Sequence, residues 1–170
     1  STHLFNAMTG FTHREPGVVG ATFDSDITTE TISDGIHISY PSLRVAYKQK
    51  GTDKTLLVTD AMCACGMPDG TYALGGQPVI VKSGAARLEN GALAGSILTL
   101  NKAVKNIYDN TDYPLYEIIK MASYNGAKYC RVDDRKGQIK EKFDADLTIF
   151  DENIDVKMTI IGGKIVYNNL

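Results

Sequence analysis

PSLRVAYKQKGTDKTLLVTD, Pro41–Asp60, carries a helix, a stop, a strand and a carboxylate in twenty residues. Pro41 suits a first helical turn, Leu43 and Val45–Tyr47 supply an apolar face, and Gly51 ends the helix. Lys54–Asp60 then reads as a strand running into an aspartate. Upstream, Thr31–Ser39 (TISDGIHIS) reads as another strand, with Gly35 marking a close approach of some other group. Strand, helix, strand is the parallel crossover unit, so the fold class is α/β.

Outward from that unit the pattern changes twice. Val18–Phe23 is a short apolar run that periodicity leaves open between strand and buried loop. Asp69–Asn90 contains three turn signals, Asp69-Gly70, Gly75-Gly76 and Ser83-Gly84, and reads as a β-hairpin insertion. Ser96–Tyr108 shows helical spacing of Ile97, Leu100, Val104 and Ile107, with Ser96 as its cap. Pro114–Tyr129 reads as one further helix. From Gly137 the pattern is β throughout: Asp146–Asp151, Val156–Ile161 and Lys164–Tyr167, with a tight turn at Gly162-Gly163. The domain boundary therefore falls near Arg135, with an α/β portion over 1–135, its insertion at about 69–90, and a small β portion over 136–170.

Composition narrows the partners. The 170 residues are 43% hydrophobic and 22% charged, with a net charge of -2. There is no basic field for nucleic acid or an anionic membrane surface. No apolar run approaches the ~18 residues that span a bilayer. Three cysteines, Cys63, Cys65 and Cys130, without secretory features, point to reduced thiols in the cytoplasm.

Several side chains could carry chemistry. Parallel strands present their carboxyl ends as a working face, so Asp60 can orient or deprotonate water there. A turn or cap aspartate is the structural alternative. His37, by strand alternation, faces away from Ile36 and Ile38; a hydrogen-bonded core or surface histidine is the alternative. His3 lies among Leu4, Phe5 and Met8, which argues against a loose tail, but one imidazole is not a zinc site. Arg14 offers a fork of donors to phosphate or carboxylate, or a loop pair with Glu15. Cys63 and Cys65 are too few thiolates for a closed metal site. Gly91–Ser96 is a small-residue loop that could cradle an anion or simply pack tightly.

Taken together these segments are far more specific. THLFNAM (Thr2–Met8), HREPGVVGA (His13–Ala21), SDGIHIS (Ser33–Ser39), LLVTDAM (Leu56–Met62) and ARLENGALAGSILTLNKAV (Ala86–Val104) follow in order. The set resembles the carboxyl-terminal half of the N-acetylglucosamine-6-phosphate deacetylase family of amidohydrolases. GQIKEKFDADLTIFD and IIGGKIVY resemble the small β domain that closes many amidohydrolases. The resemblance implies the last part of a (β/α)8 metallo-hydrolase barrel plus part of a small β-sandwich domain. It implies Asp60 as catalytic base and acid at the end of strand eight, and His3 as a metal ligand at the end of strand six. Asn6, Ala7, Asp34, Gly35, Ile36, His37, Leu93, Ala94 and Gly95 match substrate-binding positions, the Asp34–His37 group lying on strand seven. Arg14 matches the arginine that holds the sugar phosphate in the neighbouring subunit's site, which implies a homodimer.

The same resemblance implies a divalent metal, zinc first and iron or another ion as alternatives. It implies hydrolysis of N-acetyl-D-glucosamine 6-phosphate to D-glucosamine 6-phosphate and acetate. Another N-acetylated amino sugar, or a non-catalytic phosphosugar-binding remnant, are the competing readings. The family's remaining metal ligands, a glutamate and a histidine, lie upstream of His3 and have no counterpart here, and a whole barrel takes ~250 residues. The expectation is therefore a fragment, inactive alone, without tight metal binding, and exposing the edges of its parallel strands.

Overall fold

The computed structural model describes all 170 residues, Ser1–Leu170. Its centre is a parallel pair, β1 (Thr29–Ile32) and β2 (Thr55–Val58), with Thr29 opposite Thr55 and Ile32 opposite Val58. The crossover is α2 (Tyr40–Lys50), as the sequence predicts. Ser39 caps it in an extended conformation and its hydroxyl meets that of Ser42. Gly51, at φ 73°, lets the chain leave the helix in a conformation that costs other residues more. Leu43, Ala46 and Tyr47 point inward, whereas Val45, expected on the apolar face, is exposed. Lys50 is buried too, because its ammonium donates to Thr22 O and Ser25 O, 2.8 and 2.7 Å away, at the end of α1 (Gly17–Asp24). Burial lowers its pKa, outweighing the opposite pull of the Asp26 carboxylate.

Four expectations differ from what is seen. The Val18–Phe23 run is neither strand nor loop but lies within α1, where Val19 and Thr22 face the core. The strand expected over Thr31–Ser39 ends at Ile32; Asp34–His37 form a loop instead. Its cause is local: the Asp34 carboxylate captures the backbone N–H groups of Ile36 and His37, which competes with an extended ladder. The Pro114–Tyr129 helix is two, α4 (Leu115–Ala122) and α5 (Tyr124–Tyr129), broken at Ser123, whose φ of -135° is not helical. Likewise α3 (Leu100–Asn110) has Thr99 at its cap position rather than Ser96, which is engaged elsewhere.

Two clusters fill the interior. The larger, of 15 buried residues, joins β1 and β2 to α1–α4 through Leu4, Ile32, Leu43, Tyr47, Leu57, Ile107, Ile118 and Met121. The smaller belongs to an antiparallel meander, β3 (Gly70–Leu74), β4 (Gln77–Lys82) and β5 (Ala85–Leu88). Val79 and Val81 of β4 point in while Ile80 points out, the period-two pattern of a one-sided sheet. A third sheet, also antiparallel, is β6 (Leu147–Phe150), β7 (Val156–Ile161) and β8 (Lys164–Asn168), turning at Gly162-Gly163. Ile154, before β7, is buried in the larger cluster, and Asn101 of α3 donates to its carbonyl at 3.2 Å. No helix is long and apolar enough to cross a membrane.

One polar cluster sits inside the larger core. The Tyr47 hydroxyl lies 2.9 Å from Ser33 Oγ and 3.1 Å from Thr31 Oγ1, all three residues being buried. Burial pushes the phenol up to about 12. Tyr47→Phe removes the hydroxyl at which the other two converge, so it is expected to lower unfolding free energy by about 1–2 kcal/mol in urea titrations with unchanged slope. A variant as stable as wild type would contradict this role.

Candidate active site

The parallel register sets the site. Ile32 and Val58 are level, so the segments after them leave one edge of the sheet together. On the far side of β1, Ser1–Leu4 runs parallel to it: Glu30 N–H donates to Ser1 O at 2.9 Å, and Leu4 N–H donates to Glu30 O at 2.8 Å. A regular parallel ladder places those two partners two residues apart; here they are three apart, so one residue bulges. Bulges re-aim side chains, and His3, at φ 31°, sits in this one.

Strain is concentrated in the same places. Of eight non-glycine residues with positive φ, four are His3, Phe5, Ala7 and Asp60. Such conformations cost of order 1 kcal/mol or more each and cluster at functional sites. Asn6 braces the first segment: its side-chain amide donates to Leu4 O at 3.1 Å and its backbone N–H to His3 O at 2.9 Å. His3 Nδ1 is buried and has no hydrogen-bond partner. An orphaned imidazole nitrogen costs desolvation unless something binds it.

After β1, the Asp34–His37 loop is tightly built. Asp34 Oδ1 accepts the N–H groups of Ile36 and His37 at 2.9 and 2.8 Å, and its Oδ2 meets His37 Nδ1 at 2.7 Å. Burial raises the Asp34 pKa, but the His37 ring and the two backbone donors outweigh it, leaving the carboxyl below its usual range. Gly35, at φ 76°, has the Tyr40 ring where a Cβ would sit, 2.8 Å from its hydroxyl oxygen. Asn106 of α3 donates to Ser33 O at 2.9 Å and so fastens the base of the loop.

Asp60 follows β2 at φ 48°, and its exposed carboxylate makes no hydrogen bond within the chain. Its backbone is clamped instead. Asp60 O accepts Ser96 N–H at 2.8 Å, Ser96 O accepts Met62 N–H at 2.8 Å, and the Ser96 hydroxyl donates to Thr59 O. Gly95 is required there: a Cβ would lie 3.1 Å from Asp60 O. Ala94 is buried and hydrogen-bonds back to Ala86 O, and Leu93 bridges Arg87 of β5.

The structure thus joins His3 with Asn6, Asp34 with His37, and Asp60 with Gly95, and the strand register brings these groups to one edge. Ala7 lies on the strained segment after His3, and Ile36 at the exposed tip of the His37 loop. Arg14 stands apart, exposed on the Thr12–Glu15 turn and forming no ion pair with Glu15. Ser33, Tyr47 and Asn106 hold the loops without having been singled out by sequence, and Ser96, expected as a helix cap, clamps Asp60 instead. Their partners lie up to 73 residues away, which no local pattern reveals. Nowhere do three His, Cys, Asp or Glu side chains gather as a metal site.

A protein-family model described as the amidohydrolase family matches residues 2–166. An N-acetylglucosamine-6-phosphate deacetylase of Lysinibacillus sphaericus is 48% identical over 165 residues, covering 96% of this chain and 42% of that protein. An Escherichia coli K12 protein, whose own assignment as an N-acetylgalactosamine-6-phosphate deacetylase is provisional, is 38% identical over 96% of this chain and 98% of its own length. The crystal structure of N-acetylglucosamine-6-phosphate deacetylase from Pasteurella multocida superposes with a TM-score of 0.94 at 39% identity, over 98% of this chain and 44% of that one. The chain spans less than half the length of the Lysinibacillus relative.

Two outcomes test the geometry. Gly95→Ala forces a Cβ against Asp60 O at positive φ, and is expected to destabilise by about 1–2 kcal/mol in chemical denaturation. An unchanged midpoint would contradict the clamp. For Asp34, a depressed folded pKa means its stabilisation is present above the unfolded value of ~3.9 and is lost as pH falls through the folded value. The stability gap between wild type and Asp34→Asn is therefore expected to hold steady above about pH 5 and to narrow below about pH 4. A gap independent of pH would contradict the hydrogen-bonding assigned to this carboxylate.

Proposed function

We propose that this chain, which belongs to the amidohydrolase family, forms the carboxyl-terminal part of a deacetylase that releases acetate from N-acetyl-D-glucosamine 6-phosphate. The observation that carries this reading is the meeting of three segments at one sheet edge: a strained, orphaned His3, the Asp34–His37 loop, and the open carboxylate of Asp60. The identity of 48% to a relative of that name supports the substrate. In the same reading β1 and β2 are barrel strands seven and eight, Ser1–Leu4 ends strand six, and β6–β8 belong to a small β domain beginning near residue 136. Three free thiols suit a cytoplasmic enzyme.

An acetamide is a poor electrophile and an amide nitrogen a poor leaving group. Asp60 meets both demands. Its carboxylate accepts a proton from water as the oxygen adds to the acetyl carbonyl, and the resulting acid returns that proton to the nitrogen as the C–N bond breaks. One residue serves as base and then acid, which its solvent-facing position permits. Asn6, Ala7, Gly35–His37 and Leu93–Gly95 surround the sugar in this reading. Arg14, unpaired on its exposed turn, reaches the 6-phosphate bound to a second subunit, and so implies a homodimer.

Family membership implies a divalent metal cofactor. His3 fits such an ion as one donor, through its buried and unpartnered nitrogen. A catalytic zinc takes about three protein ligands, and no group of three exists on these residues. The residues present do not hold the ion by themselves; its other ligands come from outside them. Zinc is the first choice, with iron or another divalent ion as the alternative.

A second reading, the galacto epimer, rests on the 38% identity to the Escherichia coli protein. A chimera settles both: the amino-terminal part of the Lysinibacillus relative joined to this chain at residue 2, supplied with zinc. Acetate release is expected from N-acetylglucosamine 6-phosphate, slower from its 4-epimer and from the sugar without phosphate. Asp60→Asn is expected to lower the rate by ~10²–10⁴. A folded, metal-loaded chimera inactive on the phosphorylated sugar would overturn the proposal. By calorimetry, the 170-residue chain alone is expected to bind no zinc at sub-micromolar affinity.

A further inference from the structure

We infer that Asp34 is a positioning residue: it holds the His37 imidazole in the Nδ1–H form and turns Nε2 outward as the ring's only atom free to meet a ligand. This rests on the proposed function only for the ligand, a polar oxygen of a phosphorylated amino sugar; the hold on the ring stands without it.

Three observations converge. The Asp34 carboxylate is fully committed, with Oδ1 accepting two backbone N–H groups and Oδ2 lying 2.7 Å from His37 Nδ1. Asp34 is kept ionised by those donors, and an ionised carboxylate only accepts, so Nδ1 carries the proton. The two side chains are 10% and 5% exposed, too enclosed for the ring to flip without breaking these bonds. Meanwhile His37 Nε2 has no partner in the chain, yet is not among the buried orphans, which are His3 Nδ1, Thr22 Oγ1 and Thr99 Oγ1. It therefore reaches the surface through the little exposure the ring retains. A ring nearly enclosed, with one nitrogen fixed and the other open at the edge where Asp60 emerges, is built to present that nitrogen.

In the neutral ring Nε2 holds the lone pair and accepts a hydrogen bond from a sugar hydroxyl; protonated, it donates to a phosphoryl oxygen. Asp34 touches neither. Its neighbours secure the loop: Asn106 holds Ser33 O, Tyr47 holds Ser33 Oγ, and Tyr40 covers Gly35.

The chain has three histidines, so nitrogen-15 labelling of histidine gives spectra simple enough to assign with a His37→Gln control. At a pH where the ring is neutral, long-range proton–nitrogen correlations are expected to show His37 with a protonated Nδ1 and a bare Nε2. In Asp34→Asn the amide oxygen can keep the backbone bonds while its NH2 faces the ring. The pattern is then expected to invert, to a bare Nδ1 and a protonated Nε2, with backbone amides outside 33–40 unmoved. A bare Nδ1 in the wild-type chain would overturn the inference, and needs no variant to be seen. So would an Asp34→Asn spectrum that keeps the wild-type pattern. Because no ligand is present, failure here counts against Asp34 alone, whereas failure of the chimera assay counts against the proposed activity.

Discussion

Four paired residues on each of two strands determine what the rest of the chain can do. Ile32 opposite Val58 makes two loops emerge at the same height, one carrying Asp34 and His37 and the other Asp60. Parallel strands are long-range partners and need both faces covered. Here α2, α3 and α4 supply the cover, and Leu57, Ile107 and Ile118 the buried surface. A one-residue slip would carry the side chains of the slipped strand to the opposite face, spoil this packing and part the loops. The Thr31 hydroxyl works against such a slip, because besides meeting Tyr47 it donates to Leu56 O of β2 at 3.4 Å.

Strain and anchoring then divide the work. The segments bearing His3 and Asp60 adopt left-handed conformations that non-glycine side chains resist. They persist because their backbones are clamped: Leu4 to Glu30 on one side of β1, and Asp60 and Met62 to Ser96 next to β2. The meander extends this second clamp. Its small core of Val79, Val81 and Ala86 reaches Met62 and Ala94, so the meander steadies the strand end that carries the carboxylate. Asp34 is the counterpart after β1, where a side chain rather than a distant strand fixes the loop.

Much of this was legible in the sequence where the chemistry is local. Pro41 and Gly51 bracket α2, the Gly162-Gly163 turn joins β7 to β8, and the Gly75-Gly76 and Ser83-Gly84 turn signals fall between the strands of the meander. The motif order pointed to the amidohydrolase family, and the family match bears that out. What was not legible depended on competition between partners. TISDGIHIS has the apolar alternation of a strand, yet Asp34 ends it, since a carboxylate two and three residues from free N–H groups outcompetes a ladder at a sheet's edge. Ser96 looked like a helix cap, and instead its hydroxyl is drawn to Thr59 O, so Thr99 takes the cap position of α3. VVGATF gave no period, and α1 forms because Val19 and Thr22 find α2 and the main core. Asn106, decisive for the His37 loop, offers no signal short of the fold itself.

In the proposed function, one sheet edge gathers the imidazole of His3 and the carboxylate of Asp60 around a single reacting amide. A crystal structure of the chimera soaked with D-glucosamine 6-phosphate measures this most directly. The sugar amine should lie within hydrogen-bond reach of Asp60, with His3 on the same wall of the cleft and His37 Nε2 on an oxygen of the sugar or its phosphate. Density for the product elsewhere, or His3 and Asp60 facing opposite sides of the sheet, would contradict it.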